Sequence, residues 1–297
     1  MAKFLRLPLR RTLHWAGSAL ALLGITFVAL RLRNYSAALD FSRFDTAGWL
    51  VIAGFVLLYG LSNLMLAQAW WNLLAQFRVH ISRRWALKIF GISQLAKYVP
   101  GNIFHLAGRQ AMGMAAGMPG WMLAKSSVWE LGLISFAGAT FGLLALPLLI
   151  PGLPFAISAI GFAASVVIVI GLLWRFVGLP AAHSFGCYVS FLAISGLLFT
   201  GLIALQCGAQ GISNFKWLPL CGAYVLAWLI GLVTPGAPAG IGVRELVLLF
   251  LLKGEISEMD LIMVVLLGRA VTVSGDMLVY LGSLLMSPDN NPSEFHE

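Results

Sequence analysis

Charge is scarce in this chain. Asp, Glu, Lys and Arg make up 10% of the residues and hydrophobic types 60%, with a mean hydropathy of +0.91. Such a chain cannot wet the surface of a soluble domain. Acid is the scarcer sign, at 11 residues against 19 Lys and Arg. The resulting net charge of +8 does not indicate a nucleic-acid partner, because most of the cations flank apolar runs and serve there as topology signals. Cysteine is rare and dispersed. Cys187, Cys207 and Cys221 sit singly in apolar surroundings without metal-ligand spacing, and read as packing residues. A nucleophile elbow, a Walker loop, a metal-ligand cluster and a paired-carboxylate motif are also missing, so no enzyme, metal or cofactor is expected. The short alternating segments of a barrel are absent too. Long continuous apolar runs point instead to an all-α polytopic membrane protein.

What is present is a repeat. Lys97-Tyr98-Val99-Pro100-Gly101-Asn102 and Thr234-Pro235-Gly236-Ala237-Pro238-Ala239-Gly240-Ile241-Gly242 each set a break inside an apolar run, and Arg109 and Arg244 each follow the first proline by nine residues. Proline removes a backbone donor and clashes with the preceding turn, while glycine accepts positive φ, so helices should stop at both places. Within hydrocarbon, such a break is tolerated only where protein buries it or water reaches it. The breaks Pro100, Gly101, Pro235, Gly236, Pro238, Gly240 and Gly242 therefore read as the tips of two re-entrant helical hairpins around a polar cavity.

Along the chain, Lys3, Arg6, Arg10 and Arg11 precede an apolar run from His14 to Leu30, an uncleaved first span with its N-terminus in the cytoplasm. Ala47 to Leu74 is the second span, and Arg78, Arg83, Arg84 and Lys88 place the next loop in the cytoplasm. The arm from Trp85 reaches its break after about ten apolar residues, enough to reach the bilayer midplane without crossing. Gly101 to Met114 returns. Further spans are expected at Trp121 to Leu148, Phe155 to Trp174 and Ser184 to Cys207. Leu220 to Val233 and Gly240 to Leu252 form the second hairpin, and Leu261 to Met286 the last span. Residues 288 to 297 form a polar tail, read as disordered.

This gives one transmembrane domain over residues 1 to 287, with six full spans and two re-entrant hairpins. Three spans separate the hairpins, so they enter from opposite faces. Residues 1 to 150 and 151 to 287 then form an inverted-topology repeat, a plan by which transporters build a midplane site reached alternately from each side. The rival topology lets Trp85 to Met114 and Lys216 to Thr234 cross fully, which makes eight spans and also leaves both termini inside.

A charge at the bilayer centre costs about 2.5 to 3.5 kcal/mol on insertion scales, so each needs a partner or water. Leaving His105 aside, Lys97, Arg109, Lys125, Arg244 and Arg269 stand against Glu130, Glu245 and Asp276, five positive against three negative. If each acid neutralises one cation, positive charge remains, and an anionic group such as a lipid phosphate is its natural partner. Helices restarting after the breaks present free N–H groups that also favour an anion, and Asn102 adds a polar contact. Lys97, Asn102, Arg109, Arg244 and Arg269 are thus candidate substrate-binding residues; His105, Glu130, Glu245 and Asp276 balance charge or carry coupling protons. In a purely structural reading, Lys97 and Lys125 snorkel to an interface, and Arg109–Glu130 and Arg269–Asp276 are ion pairs.

The Lys97-to-Asn102 stretch with Arg109, and Pro238-Ala239-Gly240-Ile241-Gly242-Val243-Arg244-Glu245, resemble the two signature stretches of the lysylphosphatidylglycerol synthase transmembrane-region family. The patterns look like K-Y-hydrophobic-P-G-N and P-G-G-hydrophobic-G-x-x-E, with Ala239 in place of one glycine. In bacterial multiple-peptide-resistance proteins this region is a flippase for aminoacylated phosphatidylglycerol, followed by a cytosolic synthase domain. Here the chain would be a stand-alone flippase region. The resemblance implies movement of an anionic phospholipid or polyprenyl phosphate across the cytoplasmic membrane; a second copy of the chain is a candidate partner. The alternative is a non-catalytic partner that positions a glycosyltransferase or lipid synthase.

Overall fold

The computed structural model describes residues 45–98, 104–208, 217–234, 240 and 242–286. The expected first span, the tail, and Pro100, Gly101, Asn102, Pro235, Gly236 and Pro238 lie outside these. Among the described residues the regular structure is helical, with turns between the helices and one isolated bridge between Lys253 and Ile256. In chain order the helices are α1 (Thr46–Gln76), α2 (Arg83–Gln94), α3 (Phe104–Ala115), α4 (Gly120–Thr140), α5 (Gly142–Leu149), α6 (Phe155–Phe176), α7 (Leu179–Cys207), α8 (Trp217–Val233), α9 (Val243–Leu251) and α10 (Glu258–Leu285). A 3-10 turn, Leu95–Tyr98, extends α2.

Five segments are long and apolar enough to cross a membrane: α1, α4 with α5, α6, α7 and α10. This is a multi-pass membrane protein. The helices beside the two sequence breaks are different. At about 1.5 Å per residue, α3 and α9, which follow the breaks, run roughly 18 and 14 Å, well below a hydrocarbon core of about 30 Å, whereas α8, which precedes the second, runs about 26 Å.

Local chemistry sets the helix starts. The Asp45 carboxylate accepts from Gly48 N–H at 2.8 Å, and the Ser82 and Ser257 hydroxyls accept from Trp85 and Asp260 N–H at 3.1 Å, each satisfying an orphan donor of the first turn. At α9 the Glu245 carboxylate reaches back to the N–H of Gly242 at 2.7 Å. Gly240 and Gly242 stand at φ of +70° and +85°, left-handed conformations that disfavour a side chain.

Packing centres on α1, α7 and α10, which touch one another and surround the buried core. By contrast α6 is peripheral. Only 6% of its most apolar window is buried, and Ile160, Val167 and Ile168 face outward, as a lipid-facing helix should.

Where α1 crosses α10, small residues bring the backbones together. A Cβ on Gly275 would stand 2.7 Å from Tyr59 Cδ1 and 3.0 Å from Gly60 N and Val56 O. Those backbone atoms cannot yield without parting the helices, as at other small-residue crossings in membranes. Gly275→Val should therefore lower the melting temperature in detergent and move the adjoining Asp276. Gly282→Val, on the same helix with open space around it, should leave it within a degree or two. Equal effects would show that the crossing does not set this geometry.

Candidate functional site

The membrane charges meet around one cavity. It is small, about 100 Å³, and is lined on its polar side by Lys97, His105, Glu130, Arg244, Arg269 and Thr272. Residues from both break-flanking regions and from two long helices thus converge at one place, which their separation in sequence does not reveal.

Among the described residues, three ion pairs hold this arrangement. Arg109 on α3 meets Glu130 on α4, Nη2 to Oε1, at 2.7 Å. Glu245 on α9 meets Arg269 on α10, Oε1 to Nη2, at 3.1 Å. Each helix that follows a break is thereby tied to the next long helix, with the signs reversed between the two cases. The third pair, Lys97 Nζ to Asp276 Oδ2 at 2.7 Å, binds the segment before the first break to α10.

Asp276 is completely buried and collects donors as a buried carboxylate must. Besides Lys97 it accepts from the Tyr98 hydroxyl and, at 3.5 Å, from Gln94 Nε2. Gln94 also donates to Asn63 Oδ1 at 2.8 Å, and Asn63 donates to the Tyr59 carbonyl at 3.1 Å. One network therefore joins α1, α2 and α10. The expected pairing of Arg269 with Asp276 is not formed. Their spacing on α10 puts both near one face, but each finds a closer partner on a neighbouring element.

Arg109 is only 1% exposed and stands behind Glu130. Its guanidinium lies 4.8 Å from the ring centre of Phe90 and 5.2 Å from that of Trp70, a desolvated cation held by two ring faces as well as by one carboxylate. Its Nε and Nη1, with Glu130 Oε2, lack hydrogen-bond partners. Lys125 is exposed at the side of α4, 4.8 Å from the Phe77 ring, and takes no part in the cavity.

Counting Lys97, Arg109, Arg244 and Arg269 against Glu130, Glu245 and Asp276, four cations face three acids. The cation left over is Arg244. Among the described residues no carboxylate lies within ion-pair distance, its Nε is buried without an acceptor, and its guanidinium sits 5.8 Å from the Trp228 ring centre. Gly231 and Gly240 make room for it. A Cβ on either would come within about 3 Å of its side chain.

No family model, curated protein or solved structure matches the chain. The likeness to the flippase region thus rests on the two motifs alone.

Of the sequence candidates, Lys97, His105, Glu130, Arg244 and Arg269 reach the cavity wall, while Arg109, Glu245 and Asp276 stand beside it as their partners. Tyr59, Asn63, Gln94, Trp228 and Thr272 are not among the sequence candidates, and Tyr98 stands in the first motif without a role assigned to it. Asn63 and Gln94 carried a usable signal, as amides inside apolar runs. Tyr59 and Trp228 carried none, since an aromatic on a cavity wall looks like one facing lipid.

The excess charge can be tuned. Glu245 is partly exposed, at 29% of its side chain, so losing its pair with Arg269 should cost little stability, about 1 kcal/mol or less. Glu245→Gln leaves the cavity one charge more positive. It should strengthen binding of an anionic lipid several-fold in a fluorescence displacement assay, with the melting temperature nearly unchanged; weaker binding would contradict this electrostatic reading.

Proposed function

We propose that the protein is a lipid flippase-like transporter, which takes the phosphate of an anionic phospholipid or lipid-linked head group into this cavity and carries it across the cytoplasmic membrane. The observation that carries the reading is Arg244, a half-buried arginine on the cavity wall whose Nε is buried without an acceptor and which has no acidic partner among the described residues. An unpaired cation at membrane depth is costly. A phosphate offers the charge and the multiple acceptor oxygens that an arginine fork matches.

The same reading takes the short helices around residues 99–103 and 235–241 as re-entrant hairpins entering from opposite leaflets, within six full spans arranged as an inverted repeat. The sign-reversed pairs Arg109–Glu130 and Glu245–Arg269 support it, because each occupies the same step in its half of the chain. Both termini would be cytoplasmic. The cavity, about 100 Å³, is much smaller than the roughly 300 to 1,000 Å³ of a site enclosing a drug-sized ligand, which suits a phosphate group better than a whole lipid.

The test is reconstitution. In vesicles carrying a trace of fluorescent phosphatidylglycerol, the purified protein should make the inner-leaflet probe reachable by an impermeant quencher, and a phosphatidylcholine probe should lag behind. No movement of either, together with stoichiometric purification alongside a lipid-modifying enzyme, would replace this reading with that of a non-catalytic partner.

A further inference from the structure

The three acids of the site differ in how fully their oxygens are used. Asp276 gives one oxygen to Gln94 and the other to Lys97 and Tyr98. Glu245 gives Oε1 to Arg269 and Oε2 to the N–H of Gly242. Glu130 is half used: Oε1 meets Arg109, while Oε2 is buried without a donor. Of the three, it is also the one that lines the cavity. A buried carboxylate oxygen with no donor is costly as an anion and is a natural seat for a proton.

The surroundings allow Glu130 to give up its charge. Protonation at Oε2 leaves the hydrogen bond from Arg109 to Oε1 in place, and the guanidinium keeps the ring faces of Trp70 and Phe90, so the cation is not left bare. Tyr188 on α7 is fully buried, stands within electrostatic reach of both Glu130 and Arg109, and has a hydroxyl without a partner. That hydroxyl can accept from a protonated Glu130 or donate to the ionised form, directly or through one water. The remaining elements packed on α4 add little charge. Besides Arg109, α3 brings His105; α5 holds no titratable residue, α6 only Arg175 at its end, α8 Cys221 and Tyr224, and α1 Tyr59 on the cavity wall. Besides Tyr188, α7 holds the exposed His183 and two cysteines, and the cavity adds Lys97, Arg244 and Arg269.

Resting on the lipid reading above, we infer that Glu130 Oε2 is the binding site of a second substrate, a proton, taken up as the lipid phosphate enters. The O–H bond forms with a proton from water in the cavity, and it breaks to return that proton to water when the phosphate leaves. Coulomb's law sets the sign. A phosphate at Arg244 and a carboxylate at Glu130 repel across one cavity, so neutralising Glu130 strengthens phosphate binding, and by linkage phosphate binding draws in the proton to the same degree. Affinity for anionic lipid is therefore greatest where Glu130 is protonated and falls as pH rises through its titration. Lipid and proton then cross in the same direction.

The linkage is measured on the purified wild-type protein in detergent. Phosphatidylglycerol should bind about fivefold or more tightly at about pH 5 than at about pH 8, with proton uptake on binding seen by calorimetry in buffers of different ionisation enthalpy. The infrared difference spectrum on binding should show a protonated-carboxyl band. Glu130→Gln keeps an acceptor for Arg109; it should bind with the low-pH affinity throughout, take up no proton and lack the band, whereas Glu245→Gln and His105→Gln should keep both uptake and band. Binding without proton uptake in the wild type would overturn the inference, as would uptake that is lost in His105→Gln and kept in Glu130→Gln. If the wild type binds without uptake while Arg244→Gln still abolishes lipid movement in vesicles, the transport reading stands without the proton. If uptake through Glu130 is found in a protein that moves no lipid, the proton site stands and the transport reading falls.

Discussion

Asp276→Ala is expected to be the most damaging single replacement in this protein, costing about 3 to 5 kcal/mol and lowering the melting temperature in detergent by on the order of 10 °C. The carboxylate is fully buried and holds three donors from the segment before the first break: Gln94, Lys97 and Tyr98. Deleting it strands the Lys97 ammonium, only 19% exposed, and leaves the Tyr98 hydroxyl without its acceptor. The loss is one of charge balance as well as of hydrogen bonds. The double variant Lys97→Met with Asp276→Leu should therefore recover most of the stability, since an apolar pair of similar volume is often as stable as a buried ion pair. If the double variant is no better than Asp276→Ala, the two residues are not coupled and the network has been misread.

Arg244→Gln is expected to do the reverse. With no acid to release, its removal relieves an uncompensated charge, so the lipid-free protein should keep its melting temperature or gain a few degrees. Affinity for anionic lipid should fall at least tenfold, about 1.4 kcal/mol or more, and transport should fall with it. Stability and function would move in opposite directions, as they do where a binding group is kept at a cost to the fold. Arg109→Gln offers the contrast. Its guanidinium is matched by Glu130 and closed in by Trp70 and Phe90, so its loss should destabilise the fold. A stability loss in Arg244→Gln as large as that in Arg109→Gln would make Arg244 a structural residue.

Much of the helix plan was legible in the sequence, because it rests on two strong signals. Apolar runs gave the long helices: Ala47 to Leu74 stands within Thr46–Gln76, and Phe155 to Trp174 within Phe155–Phe176. The two Pro-Gly clusters fall between described helices, on residues outside the described ones. Boundaries drifted where caps decide them, as at Leu179, where Gly178 and Pro180 start α7 five residues before the expected Ser184. The partner of each charge was not legible. Composition gave an excess of cations, but Asp276 could be assigned to Arg269 by spacing on one helix and goes instead to Lys97, 179 positions away, because α2 packs directly on α10. Which arginine stays unmatched follows from that choice, so the residue on which the proposed function turns could be named only from the structure.

Thr272 lines the cavity, so a thiol placed there reports directly whether the chamber is wet and electropositive. With Cys187, Cys207 and Cys221 changed to alanine and Thr272→Cys introduced, two small thiol reagents are compared, an anionic sulfonate and a cationic ammonium of similar size, each rate normalised to that with a free thiol in solution. Both should react, with the anionic reagent favoured several-fold and the preference lost when Arg244→Gln is added. No reaction with either reagent would mean a dry interior, and a preference for the cation would mean a chamber of the wrong sign.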